Sequence, residues 1–355
     1  MEKFKIFIEK LKVFIYAEDP GAANFLLPII YKLNKLKIKT KVFAESQAKL
    51  IFKKNFINCN KISKKKINFS TAKIILIGTS ENKKSLLRKI VEEGKKKYIP
   101  VFGIVDAAMN LQERFFINKK NRFIYLPDYL FVNDDYTKDQ YIKIGIDRSR
   151  IYNFGSPHYQ NIKNIYLNLK KNKKSKTRIK INNNINNKNF KIYSFVSEGL
   201  YKTQGSKKTR TERVLEQFIK IKKKIKNHPY LIFKPHPKDK KKDYKKYLKY
   251  FDAIFLKGNS IDLIHISDAI IGLTSMVMTE AVILGKPTFA IICDRKEKDW
   301  LPALRNNLLE SVPLNNLFFN YKKLIKDETK FISKGNIIIK NSTKMIVNKI
   351  IKYIY

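Results

Sequence analysis

Lys234-Pro235-His236-Pro237 closes the apolar run Leu231-Ile232-Phe233 and puts an ammonium and an imidazole on one short turn. The two prolines remove two backbone donors and stiffen the turn, so the chain itself aims the imidazole. Further along, Thr274-Ser275 follows a second apolar run, Ala269-Ile270-Ile271-Gly272-Leu273, and leads into Glu280-Ala281 and Gly285-Lys286-Pro287. Hydroxyls at a helix start cap its free N–H groups, and those N–H groups with the helix dipole also attract anions. An imidazole, with an ordinary pKa of about 6.5, becomes a cation beside a dianion. Glu280 falls about one and a half turns into the helix, where a carboxylate is ordinarily solvated. Both motifs stand at strand ends, the edge where open α/β sheets bind ligands.

The first half carries candidates for proton transfer. Glu18-Asp19-Pro20-Gly21 follows the apolar run Val13–Ala17 and precedes a helical pattern. This glycine-containing turn is not G-x-G-x-x-G, so no dinucleotide cofactor is expected. Asp106 ends the run Val101–Val105. A carboxylate in a closing, partly dry site can take the proton of an attacking hydroxyl, and Asp106, at the end of a strand, is a candidate for such a base. Arg114 can steady a phosphate or pair with Asp106. Ser197-Glu198-Gly199 ends another apolar run, Ile192–Val196. His158, His228 and His265 show no metal-ligand spacing with one another or with Cys59 and Cys293, and there is no D-x-D pair, so no metal is expected.

These residues need a framework. Strands are expected at Val13–Ala17, Thr40–Phe43, Ile74–Ile77, Pro100–Ile104, Tyr129–Val132 and Ile151–Phe154, with helices near Asn24–Asn34, Ser80–Glu93 and Tyr136–Ile144. That alternation predicts βαβ units and a parallel sheet. From Asn164 to Lys188 the chain is a Lys/Asn tract too poor in apolar residues to order itself. Beyond it, strands are expected at Ile192–Val196, Tyr230–Phe233, Ala253–Leu256, Ala269–Ile271 and Thr288–Ile292. Helices are expected at Arg210–Lys226, Asp243–Tyr250, Ile261–His265 and Ser275–Leu284, with a closing helix in the last fifteen residues that packs back across the domain junction. The fold class is therefore α/β, with two Rossmann-like domains facing across a cleft. Residues 1–165 form the first domain, 166–189 the linker, and 190–355 the second.

A length of 355 residues with 44% apolar residues supports two packed cores. The net charge of +45 points toward polyanions or anionic lipid. It is spread along the whole chain, however, and only ten of the 75 basic residues are arginine, so no specific nucleic-acid reader is expected. Two distant cysteines imply neither disulfide framework nor thiolate metal site, and a reducing cytoplasm is the expected location. No apolar stretch suits a membrane span or a signal peptide. Phe4, Phe7, Ile8 and Leu11 fall on one helical face among lysines, which fits a helix packed on its own domain or an interfacial anchor.

Lys-Pro-His-Pro, the Thr274-Ser275 pair and the pattern Glu280-Ala281 to Gly285-Lys286-Pro287 resemble the C-terminal domain of GT-B glycosyltransferases, especially sialyl-, polysialyl- and Kdo-type enzymes of bacterial surface polysaccharides. The chain is also similar in layout to non-hydrolysing UDP-N-acetylglucosamine 2-epimerases and CDP-glycerol glycerophosphotransferases. Asp19-Pro20-Gly21-Ala22-Ala23, the spacing Asp106, Asn110, Arg114, and Gly155-Ser156-Pro157 extend the likeness over most of the chain. The resemblance implies a metal-independent transferase without cofactor, with a nucleotide-sugar donor (a CMP-sugar among the candidates) and a glycan or lipid-linked acceptor; the net charge by itself adds peripheral contact with anionic membrane. It implies that Lys234, His236, Thr274 and Ser275 meet the nucleotide phosphate, and Glu280 the ribose. Glu198 stands where sialyltransferases carry an acidic motif whose first acidic residue is here Ser197, so a place along the nucleotide base suits it better than catalysis. Gly21 and Arg114 would contact substrate. In GT-B folds the loop after the first strand reaches toward the acceptor and the transferred bond, which makes Glu18 and Asp19 candidates for the base beside Asp106, and Asp106 is preferred because its spacing belongs to the resemblance. The other readings are a UDP-N-acetylglucosamine 2-epimerase and a non-catalytic polyanion- or membrane-binding protein.

Overall fold

A computed structural model of the chain describes residues 12–60, 62, 67–69, 71–108, 110–116, 123–186, 190–199, 208–237, 239–333, 335 and 341–355. The face of Phe4, Phe7, Ile8 and Leu11 lies outside the described residues, as do the last three residues of the expected linker, 187–189. The chain divides into two compact units, the first running to Asn161 and taking back the C-terminal helix, the second beginning at Ile162.

The first unit is built from β1 (Val13–Ala17), α1 (Pro20–Lys35), β2 (Thr40–Ala44), α2 (Ser46–Lys54), β3 (Ile74–Gly78), α3 (Leu87–Lys96), β4 (Val101–Val105), β5 (Tyr129–Val132), α4 (Asp135–Lys143), β6 (Ile151–Asn153) and the start of α5 (Pro157–Lys171). Its sheet is parallel in the order β2-β1-β3-β4-β5-β6. Every residue of β1, β3 and β4 is buried, as expected of a parallel sheet covered on both faces, which explains why these strands read as unbroken apolar runs. Phe25, Leu26, Ile29 and Leu33 of α1 cover one face. Leu87, Ile90 and Val91 of α3 cover the other, against Phe14, Ile75 and Ile77.

The second unit contains α6 (Ser175–Asn182), β7 (Ile192–Val196), α7 (Arg210–Lys222), β8 (Tyr230–Lys234), α8 (Lys241–Tyr244), β9 (Ala253–Ile254), α9 (Ser260–Ile266), β10 (Ala269–Gly272), α10 (Met276–Ile283), β11 (Thr288–Ile292), α11 (Pro302–Arg305), β12 (Ser311–Pro313) and α12 (Leu317–Lys326). Its sheet is again parallel, in the order β12-β11-β10-β7-β8-β9. Leu215 and Phe218 of α7 and Tyr321 and Leu324 of α12 pack on Phe195, Phe233, Ile271 and Phe289. The last helix, α13 (Ser342–Ile351), joins the first unit, where Ile346, Val347 and Ile350 complete the core over α1.

Two expectations need correction. The Lys/Asn tract is not structureless: it carries the second half of α5 and all of α6. Few contacts suffice, because Ser175, Ile179 and Ile185 are buried and Asn183 acts as a clamp. Its amide donates to the Lys257 carbonyl at 2.7 Å, and its oxygen accepts from the backbone N–H groups of Leu256 at 3.0 Å and Lys257 at 2.8 Å. Helix α3 begins at Leu87, not Ser80, because Ser80, Asn82 and Ser85 turn their side chains onto the backbone N–H groups two residues ahead, an alternative to helix that such residues offer. Helices α2, α11 and α12 and strand β12 were not anticipated. Among the described residues no helix is long and apolar enough to cross a membrane.

The same region holds a buried histidine with a pH signature. His265 is 4% exposed, and its Nε2 lies 2.8 Å from Ser175 Oγ. That hydroxyl donates to the Leu169 carbonyl at 2.8 Å, so Nε2 carries the proton and Nδ1 is left buried without a hydrogen-bond partner. Burial, then Lys176 and Lys286, lower the pKa of His265 below its usual 6.5, against a smaller pull from Asp262. Between the folded and unfolded values the unfolded chain binds a proton that the folded chain does not, so stability falls as pH drops below about 6.5, by at most about 1.4 kcal/mol per pH unit. Thermal unfolding of the wild type should show this loss relative to His265→Leu; parallel pH profiles would contradict it.

Candidate functional site

In the second unit, register brings the expected residues to one sheet edge. Val196 of β7 is paired with Lys234 of β8 and with Gly272 of β10. Glu198, His236 and Thr274 each stand two residues beyond this aligned row, on three adjacent parallel strands about 4.8 Å apart. The chain enters the sheet at β7 and builds outward on both sides, so the crevice beyond β7 and β10 is its topological switch point, the usual ligand position in such sheets.

The His236 turn is held through the backbone. Asp239 accepts the His236 N–H at 3.0 Å and the Ser197 hydroxyl at 3.2 Å, and donates its own N–H to the His236 carbonyl at 2.9 Å. The loops after β7 and β8 are thus fastened to each other. The Lys234 ammonium lies 5.6 Å from the centre of the Phe255 ring. Gly199, at φ 127°, turns the chain where other residues would be strained.

Thr274 and Ser275 do not behave as a capping pair. Ser275 is the N-cap of α10 but makes no side-chain cap bond. Thr274 gives both its N–H, at 2.7 Å, and its hydroxyl to Glu198 Oε1, so a carboxylate of the protein occupies the donors expected to meet phosphate. Glu198 Oε2 accepts from Arg210 Nη1 at 2.8 Å. Arg210 also donates from Nε to Glu297 at 2.7 Å and lies 4.8 Å from the centre of the Trp300 ring. Burial works against the Arg210 charge, but Glu198 and Glu297 outweigh it and raise the pKa. Glu280 is 5% exposed, which rules out a merely solvated carboxylate.

The first unit gathers its candidates at the equivalent edge. Tyr16 pairs with Ile77, and Ile77 with Gly103, so Asp19 and Asp106 each lie three residues past one aligned row of β1, β3 and β4. Asp106 Oδ1 accepts from Arg114 Nη1 at 3.1 Å, and the same nitrogen donates to the Thr79 hydroxyl at 2.8 Å and carbonyl at 3.1 Å. Burial opposes the Arg114 charge; Asp106 above all offsets it, and the pKa rises. Asn133 holds the Asp106 carbonyl at 2.5 Å. Gly21 lies within the first turn of α1, not in a loop before it, and faces Asp106 so closely that a Cβ there would stand 1.7 Å from Oδ2.

The other two carboxylates separate. Asp19 is the N-cap of α1 without a side-chain cap bond. Glu18 is 5% exposed and turns inward, its Oε2 accepting from Ser85 at 2.7 Å and Tyr16 at 3.2 Å, while Oε1 is buried without a hydrogen-bond partner. Sequence reasoning missed Arg210, Glu297, Trp300, Thr79 and Ser85. Only the first had a readable signal: it opens the helix behind the capping box of Thr209 and Glu212. Among the described residues no cluster of three His, Cys, Asp or Glu side chains could hold a metal ion.

No family model and no curated protein matches the sequence. The fold does have solved counterparts. The chain superposes on the UDP-GlcNAc 2-epimerase of Neisseria meningitidis with a TM-score of 0.70 at 17% identity, covering 96% of this chain and 100% of that one. The Methanocaldococcus jannaschii UDP-GlcNAc 2-epimerase gives 0.69 at 16% identity, covering 96% and 99%. A variant of the wall teichoic acid polymerase TagF gives 0.55 at 13% identity, covering 97% and 89%. The fold is therefore the two-domain α/β architecture of GT-B type.

Proposed function

We propose that the protein is a nucleotide-sugar-dependent glycosyltransferase. The observation that carries this reading is the alignment of Glu198, His236 and Thr274 beyond one register row at the switch point of the second unit. His236, Ser275 and the first N–H groups of α10 would take the phosphates, whose negative charge grows as the nucleotide leaves. Thr274 then anchors Glu198, and Glu198 with Arg210 and Trp300 would border the nucleoside, with Glu280 toward the ribose. In the first unit Asp106, through Oδ2, would serve as base, with Asp19 second; the buried environment of Glu18 suits it to structure.

The resemblance to surface-polysaccharide enzymes suggests a glycan or lipid-linked acceptor and a place on the cytoplasmic side of the cell envelope. A saturable rise in melting temperature with at least one of CMP, CDP, UDP and GDP is expected, worth about 2.7 kcal/mol at a ligand excess of about a hundredfold over Kd. No shift with any of the four would overturn the proposal.

A second reading is favoured by the comparisons, since the two epimerases superpose better than the polymerase. It keeps the nucleotide site and makes the reaction 2-epimerisation of a UDP-sugar. Incubation with UDP-N-acetylglucosamine separates the two: appearance of the manno epimer without an acceptor supports the epimerase.

A further inference from the structure

A second concave region of the second unit lies on α7, the end of β11 and the segment from β12 into α12. It is a hollow of about 890 Å³ whose apolar floor includes Ile221, Ile292 and Leu314. Three cations line it: Lys220 in the last turn of α7, Lys224 in the turn just past its end, and Arg295 after β11. The one carboxylate in its wall, Asp294, already accepts the backbone N–H of Lys296 at 2.8 Å.

At the rim, α12 does something unusual for a helix that packs its core with Leu317, Tyr321 and Leu324. It exposes two neighbouring phenylalanines, Phe318 at 38% and Phe319 at 63%. Each ring has an ammonium over it one turn later, Lys322 at 4.6 Å from Phe318 and Lys323 at 4.3 Å from Phe319.

Exposed aromatic rings flanked by lysines suit the boundary between lipid headgroups and acyl chains: the rings leave water while the long side chains keep their charges among phosphates. The hollow beside them offers three cations over apolar walls, the complement of a phosphate attached to a hydrocarbon. We propose that this face of the second unit docks on an anionic lipid bilayer, with Phe318 and Phe319 entering the interface and one headgroup phosphate seated among Lys220, Lys224 and Arg295. The occupant is read from charge and apolar complementarity together, which a polyanion in water would satisfy only in part. The proposal is independent of what the nucleotide site does.

The experiment is sedimentation of the full chain with vesicles of phosphatidylcholine, with and without phosphatidylglycerol. Binding is expected only to the anionic vesicles. Because a chain of net charge +45 binds any anionic surface to some degree, the decisive variant conserves charge: Phe318→Ser with Phe319→Ser should reduce the partition coefficient about tenfold or more, equivalent to about 1.4 kcal/mol. Lys220→Gln with Lys224→Gln should weaken it more than the charge-matched pair Lys53→Gln with Lys54→Gln on α2, with folding checked by melting temperature. A tryptophan placed by Phe319→Trp should shift its emission to the blue on anionic vesicles. Undiminished binding of the double serine variant, or equal losses for the two lysine pairs, would overturn the proposal and leave only general charge attraction.

Discussion

Replacing Gly21 with alanine is expected to destabilise the first unit and disable the proposed base. In an ordinary helix this substitution stabilises, by up to about 1 kcal/mol. Here the added methyl would stand 1.7 Å from Asp106 Oδ2 and 2.8 Å from its Cγ. Asp106 is too short to evade it by bending at its far end, and its other oxygen is tied to a buried arginine at 3.1 Å. Either the carboxylate swings off Arg114 or α1 shifts from β3, where Ala22 already packs so tightly that a Cβ on Gly78 would come within 2.3 Å of it.

Overpacking of this kind costs roughly 1–3 kcal/mol. A double-mutant cycle measures it: Gly21→Ala should be costly alone and nearly free in an Asp106→Ala background, the non-additivity expected of residues in contact. Equal costs in both backgrounds would refute the collision. If Asp106 is the base, both single variants lose transfer while nucleotide binding by the second unit is retained.

His236→Ala is expected to weaken nucleotide binding without altering the fold. The shape of the turn rests on Pro235 and Pro237 and on the exchange of bonds between the His236 backbone and Asp239, all of which alanine preserves. A hydrogen bond to a charged group contributes about 1.5–3 kcal/mol, so the affinity should fall about ten- to a hundredfold at a nearly constant melting temperature. Titration calorimetry with the nucleotide that stabilises the wild type tests this, and an unchanged Kd would remove His236 from the site. Asp239→Ala is the contrasting control, since it should loosen the loops after β7 and β8 together.

How much of this was legible beforehand follows from the range of the forces involved. The strands of both sheets except β12 were readable because a parallel strand buried on both faces must be apolar throughout, as Ile74-Ile75-Leu76-Ile77 and Ala269-Ile270-Ile271 are, whereas β12 is buried only at Val312. The Lys/Asn tract misled because its order comes from Ser175, Ile179 and the Asn183 clamp on the backbone at Leu256 and Lys257. Such bonds join residues far apart in sequence, so no local composition announces them.

The site divides along the same line. That a histidine between prolines, a hydroxyl pair and several carboxylates end strands was determined by the sequence alone, since strand periodicity and turn stiffness are local properties. Whether those ends fall in one row was decided by strand register. Tertiary packing also gave the Thr274 donors to Glu198, drew Arg210 between Glu198 and Glu297, turned Glu18 inward, and set Gly21 against Asp106. Each of these is a contact between groups far apart in the chain, fixed by how helices and loops settle on the sheet and not by any neighbour in the sequence.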